Sequence, residues 1–320
     1  MDNSAITTTM KRTSFKGLPA SAFQHPMDRQ ATENLKKMKG FDWLVKKYIE
    51  YGIERMEYVN NVGGAIRVGP RQMSKIYAMM LECCSILDVP EPELYVMYGG
   101  VNAYTSGHNN PFIVLQTGLL DVMDENEVMG VIAHELGHIK CGHVLYKMMA
   151  RGIRPLIEMI GSVTMGIGGL VGMGIEVALF MWDRRTELSS DRAALLVLQD
   201  VRPCVTMLMK LAGGTKRYAE GQSGEQFLNQ ARAYKEGLDQ SALDRFYRFM
   251  ANTNYTHPFP VERARFIDEW ADSPEYQNIM AGNYPQANQI TGPGACPTCN
   301  QPAGPGMKFC LNCGTPLVIR

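Results

Sequence analysis

The sequence has no net charge to offer a polyanion: 32 Lys and Arg residues balance 32 Asp and Glu residues. That balance argues against bulk capture of nucleic acid or of an anionic membrane, and no nucleic-acid partner is expected. An apolar run at the start is also missing. Met1 to Thr9 is polar, so no secretory leader is expected and the compartment is expected to be cytoplasmic and reducing. No repeat of 20 to 50 residues stands out, which argues against a solenoid. What is present is ample apolar content, 45% of the chain and enough for one or two cores, together with 22 Met and 8 Cys.

The cysteines are unevenly placed. Cys83, Cys84, Cys141 and Cys204 are scattered through helical-looking sequence and read as buried free thiols. Cys296, Cys299, Cys310 and Cys313 form two C-x2-C pairs ten residues apart, the pattern of a closed tetrahedral zinc site rather than of a disulfide framework. Four thiolates leave no open position, so such a zinc is structural, and a module this short depends on the metal for its fold. Lys308 and Arg320 make a poor basic patch, so a protein partner or substrate recruitment is the expected use.

Periodicity predicts a mainly helical α+β fold. Residues 1–27 are expected to be loosely ordered and 28–283 to form the main domain. A linker is expected at 284–294 and the cysteine module at 295–316. The spacing of Leu35, Met38, Phe41, Leu44, Val45 and Tyr48 predicts one amphipathic helix from Asp28 to about Tyr58, and Pro70 is placed to open another. Leu94–Tyr98, Asn102–Thr105 and Phe112–Gln116 read as a small sheet. Asp124, with Glu127 three positions on, makes a capping box for a helix to about Met149. Further helices are expected at 184–201, 203–212, 225–251 and 260–271.

Within an apolar insertion at 153–182, residues 159–175 carry no charge between Glu158 and Glu176. As a helix they span roughly 25 Å, just short of a hydrocarbon core. Their six glycines fit either a buried or dimer-facing hairpin or one that touches a membrane peripherally.

The chemistry centres on His134-Glu135-Leu136-Gly137-His138, a match to H-E-x-x-H. On a helix the two histidines share one face a turn apart and reach one Zn²⁺, with Glu135 beside them to take a proton from water. The competing reading is a pair of structural histidines on a buried helix, and the independently predicted capped helix favours the motif. A third ligand is needed. His143 lies five residues beyond His138, about 140° round a continuing helix, and points away. The metzincin pattern is excluded because Cys141 and Val144 stand where it needs Gly and His. Glu187 and Asp191, at i and i+4 on a later helix, offer one carboxylate for the metal and one for the free ring nitrogen of a ligand histidine.

HELGH, the apolar stretch, E-x-x-x-D, and then Thr256-His257-Pro258 followed by Arg263 resemble the HtpX-like and CAAX-prenyl-protease-like zinc metallopeptidases, gluzincins named for a glutamate ligand. The resemblance covers roughly residues 60–272. It implies that His134, His138 and Glu187 ligate a catalytic zinc, that Glu135 is the general base, and that Asp191 supports His134. It also implies that His257 and Arg263 stabilise the oxyanion or fix the Glu187 region. Asn102-Ala103-Tyr104 matches a sheet-edge segment that pairs with extended substrate. The sequence departs from the membrane-embedded relatives in showing no transmembrane helix ahead of His134, and it has Ser190 where Ala is common. The C-terminal cysteines resemble a zinc ribbon, bringing the expected zinc count to two. The expected activity is a metalloendopeptidase acting on unfolded or misfolded polypeptides. The alternative is an inactive zinc-stabilised scaffold that binds clients through the sheet edge and ribbon.

Overall fold

The computed structural model describes residues 12–50, 52–163, 167–238 and 259–286. The helix expected over 28–58 is three: α1 (Pro26–Lys36), α2 (Phe41–Glu50) and α3 (Ile53–Gly63). The breaks fall at Gly40 and Gly52, whose φ values of +87° and +66° lie in the left-handed region that ends a helix. After β1 (Ile66–Arg67), α4 runs over Ser74–Leu87, four residues later than Pro70 suggested. The expected sheet follows as β2 (Glu93–Met97), β3 (Ala103–Ser106) and β4 (Phe112–Gln116). The sheet order is β1-β2-β4-β3, with β2 and β4 parallel and both outer pairs antiparallel. β3 is therefore an edge strand.

A short α5 (Thr117–Val122) leads to α6 (Glu125–Lys140), whose N-terminus carries the expected capping box between Asp124 and Glu127. The helix does not continue to Met149. It ends at Gly142, φ +71°, and α7 (Val144–Gly152) begins anew. The apolar insertion forms α8 (Arg154–Val163) and the first half of α9, which runs over Ile167–Leu198, 32 residues. These two pack as a hairpin through glycine. A Cβ at Gly172 would stand 2.7 Å from Ile157, and one at Gly161 would stand 3.3 Å from Gly169. Ile175, Leu179 and Trp182 turn inward, whereas Met159, Val171, Met173, Val177 and Phe180 are exposed. Among the described residues no helix is long and apolar enough to cross a membrane. α10 (Val201–Gly213), α11 (Gly224–Leu238), α12 (Pro260–Ala271) and α13 (Pro274–Met280) complete the described chain.

Three apolar clusters form among the described residues. The larger core joins the sheet, α4, α6, the second half of α9, α10 and α12, a smaller one joins α1, α2, α7 and the α8–α9 hairpin, and Tyr95, Phe112 and Val114 make a third on the other face of the sheet. Residues 12–27 depart from the loose order expected of them. Phe15, Leu18 and Phe23 enter the larger core, three apolar anchors that the Ser/Thr-rich composition obscured. Residues 1–11, and the linker and cysteine module from 287 onward, lie outside the described residues.

Candidate metal centre

α6 and α9 meet at unusually small residues. A Cβ at Gly137 would stand 2.8 Å from Ala193 Cβ and 2.9 Å from Ser190 Cα, so the glycine lets the two helices close up. That approach brings His134 and His138 of α6 against Glu187 of α9, all buried, with donor atoms within 4.8 Å of one another. His134 Nε2 lies 3.3 Å from Glu187 Oε2, and His138 Nε2 lies 3.2 Å from Oε1. A tetrahedral ion with bonds of about 2.0–2.1 Å sets neighbouring ligand atoms about 3.3 Å apart, so the spacing suits zinc.

The charges fit a cation as well. At the site the buried carboxylates Glu135, Glu187 and Asp191 outnumber the buried cations Lys147 and Arg263, and Lys147 is shared with Asp183. Burial lowers the His134 pKa, but hydrogen bonds with Asp191 and Glu187 outweigh it and take the pKa up to about 9, so this spot favours positive charge. His138 is pushed well below its usual range by burial and by the Lys147 charge, which keeps the ring in its neutral, ligating form.

Each donor is held from behind. Asp191 Oδ1 lies 3.1 Å from His134 Nδ1, as expected of a carboxylate that fixes a ligand imidazole. Arg263, from α12, grips Asp191 through Nε at 2.8 Å and Nη2 at 2.6 Å, and its Nη1 lies 3.2 Å from Glu187 Oε2. Of the two roles open to Arg263, its bonds match the fixing of Glu187. Burial would raise the Asp191 pKa, but Arg263 holds it below the usual carboxylate range. Lys147 of α7 donates to Glu187 Oε1 at 2.8 Å and to Asp183 Oδ1 at 2.6 Å. Burial lowers this lysine's pKa, but Asp183 and Glu187 together outweigh it and keep the pKa above the ordinary value.

Glu135 is 6% exposed and accepts from Thr105 Oγ1 at 2.6 Å, which ties the acid to the edge strand. A cavity of about 150 Å³ opens here, lined by Asn102, Ala103, His134, Glu135, Glu187 and Arg263, with apolar walls that include Leu119 and Met207. The alternation of β3 divides the expected substrate segment. Ala103 lines the cleft, whereas the Tyr104 ring packs on the other face near Arg151, with its hydroxyl donating to Asn61. A cavity of about 1040 Å³ lies elsewhere, between α2, α3 and the loop joining β3 to β4.

His257 and the four cysteines of the C-terminal module lie outside the described residues. Sequence reasoning missed Lys147 and Asp183. The i, i+4, i+8 spacing of Asp183, Glu187 and Asp191 was the available signal for the latter. His143 stays off the metal face, as expected, but for another reason than its helical angle. The helix ends before it, so a helical projection does not apply, and His143 Nδ1 lies 3.1 Å from His138 Nδ1.

Residues 70–271 match peptidase family M48. Over 271 residues, 83% of this chain and 77% of the relative, the sequence is 38% identical to the Plastoglobule-localized metallopeptidase 48, chloroplastic, of Arabidopsis thaliana. A Protease HtpX homolog from Methylibium petroleiphilum is 26% identical over 168 residues, 46% of this chain and 58% of that protein. Another from Campylobacter curvus is 23% identical over 206 residues, 62% of this chain and 64% of that protein. The chain thus spans less than two thirds of either HtpX homologue. No solved structure matches it. With the metal-capable triad lying inside residues 70–271 and the likeness extending over most of both chains, the protein belongs to peptidase family M48, the HtpX-like zinc metallopeptidases.

Proposed function

We propose that the chain is a zinc metalloendopeptidase of polypeptide substrates, with His134, His138 and Glu187 holding one zinc ion, Asp191 fixing His134 and Glu135 acting as general base. The observation that carries this reading is the convergence of three buried metal donors with one further carboxylate beside them, in a cleft bordered by a sheet edge. Bound zinc would lower the pKa of water toward roughly 7 and polarise the scissile carbonyl. Glu135 takes the proton during attack and delivers it to the leaving amine. Thr105, donating to Oε2, leaves the other carboxylate oxygen for that transfer. An extended substrate adds along β3, where the backbone groups of Ala103 supply register and Asn102 and Tyr104 flank it, a mode that reads chain rather than sequence and suits unfolded or misfolded clients in quality control. His257 contributes to the oxyanion. Cleavage of casein by the purified protein is expected to stop on chelation and to return with zinc; chelator-resistant cleavage counts against the reading.

The remaining assignments concern the flanks. We infer that the peptidase domain runs to residue 283, with residues 12–27 packed into it ahead of the expected start at 28, and that 284–294 form a linker. Cys296, Cys299, Cys310 and Cys313 then hold a structural zinc in a ribbon at 295–316 that recruits a protein partner. Two zinc ions per chain are therefore expected, and one after replacement of Cys299 and Cys313 by Ser. The exposed Val171, Met173, Val177 and Phe180 support peripheral membrane contact through 153–182. The Arabidopsis relative, named as plastoglobule-localized and chloroplastic, lends no support to a cytoplasmic location.

A further inference from the structure

The C-terminus of α6 closes with Gly142 N donating to Ile139 O at 3.1 Å and His143 N donating to His138 O at 2.9 Å. This paired closure at a left-handed glycine is a Schellman end, and the bond that spans more residues carries His143 back over His138. His143 is 2% exposed, with Nδ1 at 3.1 Å from His138 Nδ1 and Nε2 at 3.0 Å from Asp28 Oδ2. Asp28, on α1, is fully buried and also accepts from Ser189 Oγ at 2.6 Å, Gln24 Nε2 at 3.0 Å and Thr32 Oγ1 at 3.2 Å. Ser189 is two residues beyond Glu187 on α9. One carboxylate from α1 therefore reaches α9 directly and, through His143, the His138 of α6.

We propose that Asp28 and His143 are positioning residues that orient His138 through a directional hydrogen-bond chain. This rests on the reading of His138 as a ligand. With Nε2 given to the metal, the neutral ring carries its proton on Nδ1 and must donate. His143 Nδ1 is the acceptor, so its own proton sits on Nε2 and goes to Asp28. Every tautomer is then set by the carboxylate at the far end. His134 is served directly by Asp191, and His138 by a relay one imidazole longer. Asp28 lies ahead of residues 70–271, so the segment before the family match completes the metal site.

The test measures zinc affinity of the full chain by competition with a fluorescent chelator, taking the zinc lost in His138→Ala as the site in question. Asp28→Asn and His143→Phe are expected to weaken that site about 10–100-fold, the usual cost of losing such a partner. His143→Gln, which keeps one acceptor and one donor, is expected to restore most of the loss. His143→Phe keeps the ring contact with Trp182 and leaves Asp28 its other three donors, so it decides the matter if Asp28→Asn fails to fold. Nitrogen-15 spectra of histidine-labelled, zinc-loaded protein should show His138 protonated on Nδ1 and His143 on Nε2. Unchanged affinity in both variants, or His143 protonated on Nδ1, overturns the relay. A wild type that binds no more zinc than His138→Ala overturns the ligand reading itself.

Discussion

At Arg263 three guanidinium nitrogens serve two buried carboxylates, Asp191 and Glu187. Removing the cation leaves Asp191 with His134 as its remaining partner and Glu187 with Lys147 and the two histidines, in a dry site. Arg263→Ala should therefore cost about 3–5 kcal/mol in urea unfolding, the scale for breaking a buried pair by deleting one partner. A loss below about 1 kcal/mol would mean that the pairing is not what holds these acids. Arg263→Lys restores charge without the fork and should recover only part of the stability. At this scale the chemistry was well signalled. His134, Glu135, His138, Glu187 and Asp191 announce themselves by spacing, because a helix fixes what i and i+4 can reach. Lys147 and Asp28 do not, because their roles arise from packing between elements far apart in sequence.

The elements that carry the site depend on how helices end and how closely they pass. Gly137 has no room for a methyl group against α9. Gly137→Ala should push α6 from α9, costing about 1–3 kcal/mol as overpacking and weakening zinc binding together with stability. An unchanged melting temperature would contradict this account of the contact. The start of α1 is pH-sensitive. His25 Nδ1 accepts from Met27 N at 3.2 Å, and burial with the nearby Arg192 charge lowers the His25 pKa to about 4. Between about pH 6.5 and pH 4 the unfolded chain binds this proton and the folded chain does not, so stability falls as pH drops through that window. Thermal melts should show the loss, and His25→Asn, a cap that does not titrate there, should flatten it. Helices and strands were largely legible from periodicity and capping. Their breaks at Gly40, Gly52 and Gly142 were not, because a glycine inside an amphipathic pattern does not say whether its φ turns positive. That is why the contact of His143 with the back of His138 could not be read from the sequence.

At the scale of the molecule, α9 joins the metal site, through Glu187 in its second half, to the apolar hairpin with its exposed face in its first half. Liposome flotation should recover the full chain and lose it when Val171, Met173, Val177 and Phe180 are changed to Ser. Flotation unaffected by those changes would take membrane contact away from this hairpin. The fold class could be read from the sequence because long helical periods and three short strands are local features. The packing of residues 12–27 could not, since three apolar anchors in a Ser/Thr-rich segment carry no period. The central claim is that His134, His138 and Glu187 hold the metal while Glu135 does the proton transfer. Glu135→Gln tests it most directly, by zinc content and casein cleavage measured on the same sample. The account predicts full zinc occupancy with cleavage reduced at least about 10²-fold. Undiminished cleavage at full zinc occupancy would contradict it.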